Sequence, residues 1–166
     1  MADHARTLVV GVSELLRHPG TRRTITVHAP LEDLAITSSR VLQGSEVEAR
    51  LTLEALSDKA LTATGTISAD WMGECRRCLA TVEGSVESDV KEIFEVHPVE
   101  SETYPLDGDR IDLEPMVRDA VLLALPLAPL CEAACQGPEP EHHPLGDTGE
   151  PAADDRWAPL RELKFD

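Results

Sequence analysis

The four cysteines of this chain fall into two close pairs, Cys75-Arg76-Arg77-Cys78 and Cys131-Glu132-Ala133-Ala134-Cys135, with 52 residues between them. That is the spacing of a split tetrathiolate metal site. Two residues inside the first pair and three inside the second let each loop aim both sulfurs at one ion. A long insertion between the loops is tolerated because closure entropy grows only slowly with length. Any fold for this chain must therefore bring two distant loops to one point. The preferred ligands are Cys75, Cys78, Cys131 and Cys135, and the expected metal is zinc.

Residues 1–7 carry charges and lead only into Leu8-Val9-Val10, so no signal-peptide core is expected, and no apolar stretch reaches membrane-spanning length. The default location is cytoplasmic and reducing, where paired cysteines bind metal or do redox chemistry more often than they form structural disulfides. The formal net charge of −16 is unevenly spread. Residues 1–85 hold 9 Lys/Arg against 11 Asp/Glu, whereas residues 86–155 hold 3 against 18. The first half can present a local basic face through Arg22, Arg23, Arg76 and Arg77. The acidic half should repel phosphate and attract cations.

The central segments alternate with period two. Val47, Ala49, Leu51, Leu53 and Ala55 alternate with Glu48, Arg50, Thr52 and Glu54, and after the Ser57-Asp58-Lys59 turn Leu61, Ala63, Gly65, Ile67, Ala69 and Trp71 repeat the pattern. Val82, Val86 and Val90 mark a third antiparallel strand, which places the first cysteine pair at a hairpin tip. Shorter strands are expected at 7–12 and 24–28, with a helical turn at 13–16. Residues 96–109, rich in acids and prolines, read as a surface loop. Asp112 is a plausible N-cap for a helix over 113–125, with proline tolerated in its first turn and Met116, Val117, Ala120, Val121 and Ala124 as its apolar stripe. Pro126 stops that helix and Leu127 to Leu130 deliver the second cysteine pair. Aromatics are only 3% of residues, so aliphatic side chains must fill the core. The expected architecture is an α+β domain over residues 1–135: a curved antiparallel sheet, barrel-like in tendency, with one principal helix and a split zinc knuckle. Residues 136–155, without Lys or Arg, read as an acidic mobile loop. Residues 156–166, with Trp157, Leu160 and Leu163 interleaved with Arg156, Arg161 and Lys164, read as a C-terminal docking segment.

Three stretches together resemble the YceD family: Gly73-Glu74-Cys75-Arg76-Arg77-Cys78-Leu79; Ile111-Asp112-Leu113-Glu114-Pro115-Met116-Val117-Arg118-Asp119-Ala120 continuing to Pro126, with Pro129-Leu130-Cys131 after it; and Asp155-Arg156-Trp157-Ala158-Pro159-Leu160. The resemblance implies a bacterial, cytoplasmic, non-enzymatic protein of large-subunit ribosome biogenesis, needed for accumulation of large-subunit ribosomal RNA. It also implies metal binding and a candidate role in nucleic-acid binding. The chain departs from many cysteine-containing relatives by carrying Glu139 and His142 where further cysteines would stand. The runner-up ligand set accordingly replaces one thiolate of the second pair by His142.

A redox role is the main competitor for the cysteines, since Cys75-Arg76-Arg77-Cys78 has the two-residue gap of oxidoreductases and its arginines would lower a thiol pKa. A redox motif, however, should open a helix after a strand, and this one joins two antiparallel strands. Four protein thiolates would also close the coordination sphere that hydrolytic catalysis needs open. No Ser/His/Asp order, glycine-rich phosphate loop or His-Glu-x-x-His segment is present, so neither an enzyme nor a small-molecule substrate is expected. Trp71 reads as core rather than as a base-stacking platform, for want of neighbouring aromatics. Two non-catalytic classes follow. In one, the knuckle and the amino-terminal half contact ribosomal RNA or a pre-ribosomal particle. In the other, the acidic half shields a basic ribosomal protein.

Overall fold

The computed structural model describes residues 8–139 and residue 141. Its elements are β1 (Val9–Gly11), α1 (Ser13–Arg17), β2 (Arg22–Ala29), β3 (Ser39–Val41), β4 (Val47–Ala55), β5 (Ala60–Glu74), β6 (Thr81–Glu95), β7 (Tyr104–Asp107), β8 (Arg110–Asp112) and α2 (Glu114–Ala124). The strands make one eight-stranded sheet in the order β1-β8-β7-β6-β5-β4-β2, with β3 beside β5 off that path. The sheet curls into a half-barrel, as expected, with one main helix against it.

Period-two patterning determines the centre of this sheet. β4 pairs antiparallel with β5 from Glu48↔Ser68 to Ala55↔Leu61, and β5 pairs with β6 along its whole length, from Ala60↔Glu95 to Glu74↔Thr81. The apolar set of β4 is almost completely buried, as are Leu61, Ala63, Ile67 and Ala69 of β5. Ala49, Ala55, Ala63 and Ala69 share this inner face with larger side chains, and one position has no room at all for a side chain. A Cβ on Gly65 would lie 2.0 Å from the Arg50 carbonyl oxygen, so β4 and β5 can approach there only because the residue is glycine.

The predicted helix is present and shortened by one residue at each end. The N-cap is Leu113 and not the expected Asp112, which precedes it and whose Oδ1 accepts a hydrogen bond from the Glu114 backbone N–H at 2.9 Å. Met116, Val117, Ala120 and Val121 are buried and α2 packs against β5 and β6, over a core that includes Phe94, Leu51, Leu53 and Ile111. Trp71 packs against the edge of this core, and its indole lies over Gly84, where a Cβ would come within 3.1 Å of the ring.

Two further expectations are corrected. The surface loop foreseen over 96–109 holds β7, which with β8 forms a hairpin. Leu106 pairs with Ile111 and Asp107 with Arg110, leaving Gly108-Asp109 as a two-residue turn with Gly108 at φ 59°. A two-residue Gly-Asp loop is a known hairpin signal, but strands of four and three residues are too short to show a period. The sheet is also not wholly antiparallel: β6 and β7 run parallel at Phe94↔Tyr104 and Glu95↔Pro105. That short ladder lets Pro105 sit in a strand without breaking a longer one. Most of the acidic 136–155 stretch, the C-terminal docking segment 156–166 and His142 lie outside the described residues.

Candidate metal centre

Two loops meet at one end of the half-barrel. The first is the tip joining β5 to β6. The Cys75 N–H donates to the Ala80 carbonyl at 2.8 Å and the Leu79 N–H to the Cys75 carbonyl at 2.9 Å, so the six residues close on themselves. Leu79, the residue after the second cysteine, turns the chain at φ 63°. A side-chain-bearing residue in that left-handed region costs about 1 kcal/mol or more, a strain the surrounding bonds must hold.

The second loop follows α2 and is pinned before it reaches its cysteines. Ser39 Oγ donates to the Pro126 carbonyl at 2.9 Å and Ser38 Oγ to the Leu127 carbonyl at 2.7 Å. The Arg76 N–H then donates to the Pro129 carbonyl at 2.9 Å, which ties the helix exit directly to the first loop. Gly73 makes this junction possible, because a Cβ there would lie 2.5 Å from the Ser38 carbonyl oxygen and 3.3 Å from the Pro129 ring. Arg77 straps the far side: its Nη1 donates to the Cys135 carbonyl at 2.7 Å and to the Ala133 carbonyl at 3.3 Å.

The result brings all four sulfurs within 4.8 Å of one another. Cys75 Sγ lies 3.7 Å from Cys135 Sγ and Cys78 Sγ lies 3.6 Å from Cys131 Sγ, so the closest pairs each join the two loops. A tetrahedral ion with metal–sulfur bonds of about 2.3 Å would hold its sulfurs about 3.8 Å apart, so the four residues fit such a group. Cys75 and Cys135 are buried, Cys78 is half-buried and Cys131 is exposed. When bound, the ion would cross-link the loops; four protein thiolates leave no open position on it.

The electrostatics of the cluster favour a cation. The Cys75 thiol is pulled down to about 6, first by the Cys78 backbone N–H and then by those of Cys131 and Arg77, which together outweigh burial. The Ala80 N–H is the largest single influence on Cys78 and lowers it, but hydrogen bonding to Cys75, burial and Cys135 leave it raised overall. Cys131 is pushed up to about 12, chiefly because it shares hydrogens with Cys135 and Cys78. One thiolate is thus welcome and further ones are resisted, the behaviour of a like-charge cluster.

The four arginines singled out in the sequence do not come together. Arg22 faces Glu54 across the β2–β4 ladder, at the opposite end of β5 from the cysteines, and pairs with it at 3.0 Å. Thr62, beside Glu54, is twelve positions from Glu74, about 40 Å of strand. Arg23 Nη2 donates to the Gly11 carbonyl at 2.7 Å, linking the two end strands of the sheet path. Arg77 straps the second cysteine loop. Arg76 alone of the four has no side-chain hydrogen bond or ion pair among the described residues, and it lines a groove of about 440 Å³ beside the knuckle with Arg40, Thr37 and Leu79. Arg40, on β3 opposite Met72, was not foreseen. A three-residue strand offers no period to read, and only the β3–β5 pairing carries it to the groove.

A curled half-barrel with one principal helix and a four-cysteine centre at its end defines a small cysteine-cluster domain able to hold a metal ion. Residues 63–164 match the family described as large ribosomal RNA subunit accumulation protein YceD, and the chain belongs to that family. It is 34% identical over 175 residues to the uncharacterized protein Rv2926c of Mycobacterium tuberculosis, covering 96% of this chain and 82% of that one. It is 30% identical over 139 residues to the uncharacterized protein ML1660 of Mycobacterium leprae, covering 78% and 63%. A shorter similarity, 28% over 82 residues, relates it to the uncharacterized protein YlbN of Bacillus subtilis, covering 47% of this chain and 48% of that one. The first two extend the likeness into the amino-terminal strands that precede the family match. No solved structure matches the chain. No helix among the described residues is long and apolar enough to cross a membrane.

Proposed function

We propose that this protein is a non-enzymatic, cytoplasmic factor that supports accumulation of large-subunit ribosomal RNA, and that zinc on Cys75, Cys78, Cys131 and Cys135 fixes the surface with which it touches RNA. Membership of the YceD family supports the ribosomal role. The observation that carries the RNA contact is the groove beside the knuckle, lined by Arg40 and Arg76, neither of which has a side-chain hydrogen bond or ion pair among the described residues. Exposed guanidinium groups suit phosphate oxygens, which bind them through charge-assisted hydrogen bonds, although Glu74 also lines the groove. Arg77 contributes by holding the second loop, and Arg22 and Arg23 belong to the far end of the sheet. The Cys-x-x-Cys redox alternative lacks its usual setting, because the pair closes a hairpin turn instead of opening a helix.

The test is binding of fragments of large-subunit ribosomal RNA by the metal-loaded protein across a salt series. Replacing Arg40 and Arg76 by alanine should weaken binding and reduce the slope of log affinity against log salt by about 1.5, the share of two phosphate contacts. An unchanged slope would refute the RNA contact. The excess of 18 acidic over 3 basic residues in 86–155 favours one second reading, an adaptor that shields a basic ribosomal protein. In that case neutralising the acidic segment, and not the two arginines, removes the partner from pre-ribosomal particles.

A further inference from the structure

On the flank of the half-barrel away from the cysteines, β6, the 101–104 segment and α2 enclose a groove of about 640 Å³. Its floor is apolar, with Val90, Met116, Ala120 and Leu122, and at its edge Leu123, one residue before the end of α2, is 87% exposed. Its rim is acidic: Asp89, Glu92, Glu102 and Asp119 line it, and no Lys or Arg does. Asp119 is held by the Tyr104 hydroxyl at 2.8 Å and Asp89 by Thr66 at 3.4 Å, while Glu92 and Glu102 have no side-chain partner among the described residues. An apolar floor under a single-sign rim is the complement of a cationic amphipathic segment.

The chain contains one such segment. Arg156-Trp157-Ala158-Pro159-Leu160-Arg161-Glu162-Leu163-Lys164 sets three cations among three large apolar side chains, and the family match runs to residue 164. The stretch before it, 136–155, has no Lys or Arg and is repelled by the same rim, so of the chain beyond the second cysteine loop only 156–164 suits the groove. Reach is sufficient. The fourteen residues between Glu141 and Arg156 span up to about 50 Å when extended, and Ser88, the near end of the groove, is seven residues along β6 from Thr81 at the knuckle, about 23 Å.

We propose that the chain's own segment 156–164 docks in this acidic groove, Trp157 and the two leucines covering Leu123 and the apolar floor while Arg156, Arg161 and Lys164 meet the carboxylate rim. The partner is thus intramolecular, and docking closes an apolar surface that α2 otherwise leaves in water. The surface is separate from the cysteine centre and from the Arg40/Arg76 groove, so the proposal stands or falls independently of RNA binding.

The experiment uses the full-length, metal-loaded protein with methyl-labelled leucine. Nuclear Overhauser contacts between the Trp157 indole protons and the Leu123 methyls are expected, unchanged on dilution and weakened as salt rises. Leu123→Ser should lower the docked-to-free ratio about tenfold, the loss expected for one apolar side chain no longer covered. In that variant docking is read from Trp157 contacts with the Leu122 methyls, which line the same groove, and amide protection of the β4–β5 ladder should match the parent, so a lost contact cannot be blamed on misfolding. Glu92→Lys should move the Trp157 resonances the same way through charge alone. Absence of the contacts, which would leave the groove to another protein's segment, overturns the proposal. So does their appearance only as protein concentration rises, which would make the occupant a second copy of this chain.

Discussion

Phe94 and Cys75 are both fully buried, but different neighbours bury them. Phe94 faces Leu61 across the β5–β6 ladder and stacks on Tyr104 at a centroid distance of 5.4 Å, inside a continuous apolar core. Cys75 is enclosed by three other thiols, the backbone amides of two loops and the Pro129 turn. The body of the domain is thus held by area removed from water, which needs no cofactor. The cysteine end is held by a few directional hydrogen bonds around a charge cluster that a cation would complete. The difference teaches that the two ends should lose order under different treatments, although β5 and β6 run unbroken from one to the other.

Removing the proposed metal is the strongest way to separate them. Structural zinc sites contribute on the order of 10 kcal/mol to the residues they organise. Stripping the ion, or replacing Cys75 by serine, should therefore abolish amide protection at 75–80 and 131–135 while the β4–β5 ladder stays protected in hydrogen exchange. Simultaneous loss of the ladder would show that the comparison is wrong and that the domain folds around its metal. The opposite damage is Phe94→Ala, for which a fully buried aromatic predicts a loss of about 3–5 kcal/mol in denaturant unfolding. Native metal content should persist wherever that variant remains folded.

Gly73→Ala sharpens the boundary, since its Cβ would meet the Ser38 carbonyl oxygen at 2.5 Å. We expect a loss of about 2 kcal/mol, together with weaker metal retention in a chelator competition, because the same shift opens the Pro129 contact that aligns the loops. The smallest effect is Tyr104→Phe, which removes the hydrogen bond to Asp119 and costs about 1 kcal/mol near neutral pH. Burial, then the Asp119 hydrogen bond and charge, then Glu92 hold the Tyr104 hydroxyl well above its ordinary range. Its folded value exceeds its unfolded value, so its contribution is complete below about pH 10 and declines above it, and stability titrations of parent and variant should converge in that alkaline range.

Much of the body was legible because its signals are local. Five alternating apolar positions from Val47 to Ala55 specify a half-buried strand, a polar turn predicts its hairpin partner, and Asp112-Leu113-Glu114-Pro115 marks the start of α2. The cysteine spacing likewise announced one shared site, and all four residues meet there. The β7–β8 hairpin escaped because seven residues divided between two strands show no period, although Gly108-Asp109 signals its turn. The arginines were the least legible. Arg23 and Arg77 look as free in the sequence as Arg76, and only the fold reveals that carbonyls of Gly11, Ala133 and Cys135 stand within their reach.

The sequence by itself determined which strands form the centre of the sheet, where the main helix starts and stops, and that four thiols share one site. Each of these follows from neighbours along the chain, through periodicity, capping or loop spacing. Only the tertiary structure decided that Ser38 and Ser39 pin a helix exit almost ninety residues away, that Arg40 joins Arg76 in one groove, and that an acidic channel opens beside α2. Those outcomes depend on which backbone carbonyls and carboxylates the curl of the sheet carries together, and contacts between such distant residues leave no period in the sequence.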